Sequence, residues 1–132
     1  VETVNEWEVR AEAWTDALFA EFMPAFGDDA VAVEAMAAAV RAGVMECMGV
    51  YRGGSLAGVF VGRFDGVEYE IVAASGGVAG VSLTRNVLPI IEQDALRRGA
   101  RAIRINTFRR GLMAELVRQG FEALHVTFWK GL

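Results

Sequence analysis

The chain has one cysteine, Cys47, one histidine, His125, and two prolines, Pro24 and Pro89, among 132 residues. A single cysteine excludes an intrachain disulfide and fits a reducing compartment, so a cytoplasmic setting is expected. Scarce proline beside fifteen glycines argues for turns between regular elements, and no Pro-rich or Ser/Gly-rich tract reads as a linker. No internal repeat is visible. Long apolar runs are missing too: Ala30 to Val40 is Ala-rich, carries Glu34, and falls far short of the ~20 residues a membrane span needs. The opening Val-Glu-Thr-Val-Asn-Glu has no basic region followed by an apolar stretch, so no secretory signal is expected.

With 54% hydrophobic residues, the chain buries one substantial core, and a single domain over residues 1–132 is expected. The net charge of -4 hides an asymmetry. Residues 1–70 hold four Arg against thirteen Asp/Glu, net -9, whereas residues 71–132 hold nine Arg/Lys against four Asp/Glu, net +5. Arg97, Arg98, Arg101, Arg104, Arg109 and Arg110 cluster in the basic half. They suit a phosphate-bearing ligand or an acidic partner, or simply pair with the acidic half. Nucleic acid is not expected, because the whole chain is acidic and aromatic residues do not interleave with the cluster.

Periodicity predicts the elements. Trp7-Glu8-Val9-Arg10 reads as a strand, and Ala13 to Phe26 as a helix with Trp14, Leu18, Phe22 and Phe26 at helical spacing. Asp28 or Asp29 caps a second helix running to Val44. A hairpin over Gly49 to Phe60 follows, then a strand from Val67 to Ala74 after the Asp65-Gly66 turn signal. A Gly-rich connection leads to a helix reaching Arg98. The end of the chain then gives a strand over Gly99 to Thr107, a helix stopped by Gly120, and a returning strand from Phe121 to Trp129. The apolar helix positions, Phe128 and Trp129 read as core. His125 reads as structural in mid-strand, and Cys47 as a buried inert thiol.

Three segments carry a resemblance: Gly99 to Thr107, the Gly120-Phe121-Glu122 step between helix and strand, and the Gly49 to Phe60 hairpin. Together they resemble the GNAT superfamily of acetyl-CoA-dependent N-acetyltransferases, over about two thirds of the chain. The resemblance implies an α/β (α+β) fold with a mixed, mostly antiparallel sheet flanked by about four helices, in the order β-α-α-β-β-β-α-β-α-β. It implies acetyl-CoA as cofactor and an amine as acceptor.

In that family a Gly-rich loop entering the third helix holds the pyrophosphate through backbone N–H groups and the helix dipole. Counting back from Gly99 with the family's usual helix length lays Ala79-Gly80-Val81-Ser82-Leu83-Thr84 on that loop. The cofactor-binding expectation is therefore Val72, Gly80, Val81, Ser82, Leu83, Thr84, Arg85 and Arg109. Ala79 stands where a basic residue is common, and Ser82 and Thr84 where Gly is usual; their hydroxyls serve equally as caps. If the helix begins near Ser82 to Thr84, Pro89 lies past its first turn; if it begins at Asn86, Pro89 falls in the first turn.

The Tyr that often protonates the leaving thiolate corresponds to Leu116, and the Asn that opens the fourth helix to Arg109. For a general base, Glu70 and Glu68 on one face of the fourth strand are the candidates, against a plain solvated strand face. No metal site is expected. Two functions follow. One is an acyl transfer from acetyl-CoA to an amine, with Glu70 or a water as base. The other is a non-catalytic GNAT-like module working through a protein partner or self-association, resembling virion or head-assembly proteins of some tailed phages.

Overall fold

In the computed structural model, residues 6–76, 83–105 and 116–121 are described. Five strands form one sheet in chain order: β1 (Trp7–Ala11), β2 (Glu46–Arg52), β3 (Ser55–Phe64), β4 (Glu68–Gly76) and β5 (Ala102–Ile105). The first four pair antiparallel and β5 joins β4 in parallel. Helices α1 (Asp16–Phe22), α2 (Ala30–Arg41) and α3 (Leu83–Arg97) complete the described elements. This is the expected order as far as β5. The fourth helix, apart from residues 116–118, and the returning strand after Phe121 lie outside the described residues, as do His125, Phe128 and Trp129.

The apolar side chains of β3 show how the layers form. Val59 and Val61 point to one face and pack with Leu18, Phe22, Val33 and Met36 of α1 and α2. Phe60 points to the other and packs with Val87, Ile91 and Ala95 of α3. A strand covered on both faces reads as a continuous apolar run, which is what Val59-Phe60-Val61 is.

Two helix ends differ from expectation. The helix expected from Ala13 to Phe26 begins at Asp16 and gives way at Met23 to a single 3-10 turn (Met23–Phe26). Pro24 has no N–H to offer the carbonyl of Ala20, so the α ladder cannot continue through it. The second helix stops at Arg41, short of Val44, where the Gly43 and Val44 amides fold back to the Val40 and Ala39 carbonyls. Its cap is Asp29, whose Oδ1 accepts from the amides of Val31 at 3.0 Å and Ala32 at 3.2 Å. Asp28 is held at φ 62°, outside the extended conformation a cap requires. Asp29→Ala is expected to cost about 1 kcal/mol in urea denaturation.

Glycine stops work as the sequence indicates. At the end of α3 the Gly99 amide bonds to the Leu96 carbonyl at 3.0 Å and the Ala100 amide to Ala95 at 2.9 Å, with Gly99 at φ 95°. Gly120, at φ 91°, repeats the pattern: its amide reaches Val117 at 3.1 Å and that of Phe121 reaches Leu116 at 3.0 Å. These paired bonds satisfy carbonyls that the helix leaves open, and the left-handed residue they need is glycine.

Asp65 closes the β3–β4 turn by accepting from the Val67 and Glu68 amides, both at 2.8 Å. Those two bonds hold its carboxyl below the usual carboxylate range. A lowered folded pKa stabilises above the unfolded value of about 4, and that stabilisation is lost as pH falls through the folded pKa. The stability gap between wild type and Asp65→Ala should therefore be full at pH 7 and narrow below about pH 4.

The charge asymmetry is partly resolved within the sheet. Arg98 of the basic half meets Glu46 of the acidic half at 2.6 Å, and Arg104 meets Glu68 at 2.9 Å. Among the described residues, no helix is long and apolar enough to cross a membrane.

Candidate functional site

Strand β4 is irregular at one place. It pairs with β3 through Val61↔Ala73 and then Gly62↔Ile71, so Val72 has no partner opposite it and forms a bulge. On its other edge, β4 pairs with β5 from Glu68↔Ala102 to Ile71↔Ile105, the last described residue of β5. A bulge bends and over-twists its strand. After residue 76 the chain returns as the first turn of α3 at Leu83.

The bulge also changes which way side chains point. Tyr69 and Ile71 pack on the α3 face, whereas Val72 and Ala73 both pack on the α1/α2 face. Two adjacent residues on one face shift the alternation by one. Ser75 therefore shares a face with Ala73 and meets α1, where its hydroxyl donates to Glu21 Oε2 at 3.0 Å.

The expected site residues divide accordingly. Val72 is the bulge residue itself, and Leu83, Thr84 and Arg85 open α3. Gly80, Val81, Ser82 and Arg109 lie outside the described residues. Because α3 starts at Leu83, Pro89 lies past the first turn, and the carbonyl of Arg85 receives no bond from position 89. Glu68 and Glu70 stand before the bulge, in the half of β4 that pairs with β5. Glu68 accepts from Arg104 at 2.9 Å and Glu70 from Arg63 at 2.7 Å. Leu116, at the position of the thiolate-protonating Tyr, is buried and has no proton to give.

Glu21 and Ser75 were not nominated from the sequence. They are 54 residues apart, and strict alternation along β4 from Glu70 puts Ser75 on the opposite face. Only a signal for the bulge would have joined them.

Two other features contribute no acyl chemistry. Burial, aided by the nearby Glu12 charge, pushes the Cys47 thiol up to about 11. At pH 8 only about one thiol in a thousand is then ionised, so iodoacetamide should leave the native protein unlabelled and label it on unfolding. A solvent-open cleft of about 590 Å³ lies at the opposite end of the sheet from the bulge, lined by Leu96, Ala100, Ile103 and Phe121. Glu92, Arg101 and Gln119 also line it.

No family model matches the sequence, and no curated protein matches it. Solved structures do. A transcriptional regulator from Bacillus halodurans C-125 superposes with TM-score 0.67 at 13% identity, covering 96% of this chain and 99% of that one. A predicted acetyltransferase from Clostridium acetobutylicum, solved with acetyl-CoA, gives 0.66 at 11% identity over 96% and 95% of the two chains. A Trypanosoma brucei acetyltransferase gives 0.65 at 12% identity over 96% and 99%. At such identity the likeness speaks for architecture alone. A mixed sheet in this order, a mostly antiparallel arrangement with one parallel edge, and these neighbours together establish that the chain has the GNAT fold.

Proposed function

We propose that the chain is an N-acyltransferase that takes the acyl group of acetyl-CoA to an amine. The observation that carries this reading is the Val72 bulge in β4 of a GNAT-fold sheet. In this reading the β4 backbone beyond the bulge meets a ligand with amide groups of its own, such as the pantetheine arm. The pyrophosphate then lies at the start of α3, a helix of 15 residues whose N-terminal amides and dipole favour it. In this reading Gly80, Val81, Ser82, Leu83 and Thr84 present backbone amides, and Arg85 and Arg109 supply positive charge. Bound acetyl-CoA supplies the activated acyl group.

The chain's own residues then bind and orient. Val72 through Gly76 align the arm along β4, and the amine enters from the α1 side, where Ser75 and Glu21 meet. The amine loses one proton and the thiol gains one. Leu116 cannot deliver the second and Glu70 is held by Arg63, so water carries both transfers. Rate enhancement then comes from positioning.

Calorimetric titration with acetyl-CoA tests the reading. Micromolar binding is expected, lost in Ser82→Glu, which places a negative charge against the pyrophosphate. Absence of binding at millimolar ligand would overturn it.

A further inference from the structure

We propose that β1 is a dimerisation edge: two copies of the chain pair their β1 strands antiparallel about a two-fold axis at Val9, joining their sheets into one. This pairing is independent of acyl transfer. Strand β1 ends the sheet, and among the described residues no strand lies beyond it. Val9 is only half-buried and Ala11 is exposed, as suits a strand with an open side. Its register with β2 runs unbroken from Trp7↔Arg52 to Ala11↔Met48. Neither a proline nor a bulge blunts this edge, two devices by which strands avoid pairing with another chain.

The ladder fixes which backbone groups face outward. At its two ends the Gly53 amide donates to the Glu6 carbonyl at 2.9 Å and the Glu12 amide to the Cys47 carbonyl at 3.0 Å. Backbone groups alternate sides along an antiparallel strand, so Glu6, Glu8, Arg10 and Glu12 turn theirs to β2. Val9 and Ala11 turn theirs away from it. A strand laid antiparallel on the outer edge therefore bonds through odd-numbered residues on both copies.

Charge then selects the register within β1. Glu8 and Arg10 are both exposed and share one sheet face, with Val9 on the other. Neither forms an ion pair among the described residues, and the Arg10 guanidinium lies over the Tyr51 ring at 3.8 Å. Setting Val9 opposite Val9 of the second copy places Glu8 opposite Arg10 and Arg10 opposite Glu8, and each Val9 amide donates to the Val9 carbonyl across the axis. A shift by two residues instead sets Glu8 against Glu8 or Arg10 against Arg10. Opposite charges facing across a strand pair stabilise it and like charges oppose it. Glu6 and Glu12, just outside the strand, are held by Arg52 and by the Tyr51 hydroxyl. Such a pairing uses one edge twice, so assembly closes at a dimer.

Sedimentation equilibrium of the full chain tests the proposal. A monomer–dimer equilibrium is expected between micromolar and millimolar protein. Glu8→Arg and Arg10→Glu should each weaken dimerisation about tenfold or more. An equimolar mixture of those two variants should form a one-to-one heterodimer, because the arginines of one chain then face the glutamates of the other. Val9→Pro should abolish the dimer and leave the monomer folded by circular dichroism, since the amide it removes points away from β2. Should that variant fail to fold, the mixing experiment decides alone. A monomer at every concentration, a dimer that neither charge variant weakens, or a mixture that stays monomeric would overturn the proposal.

Discussion

Phe22→Ala is expected to lower stability by about 3 to 5 kcal/mol, the range for removing a large buried aromatic. Phe22 has no exposed surface, stacks on Trp14 with ring centroids 5.8 Å apart, and packs with Val33, Met36, Val59 and Val61. It joins three layers: α1, α2 and the sheet. Trp14 gives no compensation, since its buried indole N–H has no acceptor among the described residues. For a chain of this size the loss corresponds to a fall of roughly 15 °C in melting temperature. Leu96→Ala is the control, because Leu96 is exposed and its removal should stay within about 0.5 kcal/mol. Urea unfolding of both variants checks the pair, and a Phe22→Ala loss under about 1 kcal/mol would show that α1 is not anchored as described.

Gly62→Ala is the second large effect, expected at about 3 kcal/mol. A Cβ at Gly62 would overlap the Tyr69 hydroxyl and the ring carbon that bears it. Tyr69 is the far end of a stiff ring and cannot swing aside. It is 3% exposed, packs against α3, and lies beneath the Arg98 guanidinium at 5.6 Å. Burial and the neighbouring Glu46 also hold its phenol protonated far above the ordinary range. Because the hydroxyl is the nearest atom, Tyr69→Phe introduced into Gly62→Ala should recover part of the loss. Chemical denaturation of the single and double variants measures it; equal stability of Gly62→Ala and wild type would contradict the packing.

Local signals carried most of the fold. The Gly49 to Phe60 hairpin, the Asp65-Gly66 turn, the choice of Asp28 or Asp29 before an Ala-rich helix, and Gly99 and Gly120 as stops each express a short-range rule, and each is present, with Asp29 as the cap. The errors are also local in cause. Pro24 ended α1 early, and the helix after Asp29 closed at Gly43 before Val44. The candidate site was less legible. A bulge at Val72 depends on the mismatch between two strand registers, which no window within β4 records. Once it is present, Ser75 changes face and meets a glutamate on α1. The Glu68 and Glu70 pair was visible because alternation holds before the bulge, but their arginines come from β5 and β3, beyond the reach of spacing within one strand. The start of α3 was left open by Pro89 and lies at Leu83, where the helix tolerates a proline in its second turn.

The central claim is that CoA lies along β4 beyond the Val72 bulge and at the start of α3. Backbone amide chemical shifts recorded on adding CoA test it most directly. The account predicts perturbations concentrated at Val72 to Gly76 and in the first turn of α3, from Leu83 to Asn86. Perturbations centred instead on Leu96, Ala100 and Ile103, around the cleft at the other end of the sheet, or none at millimolar CoA, would contradict it.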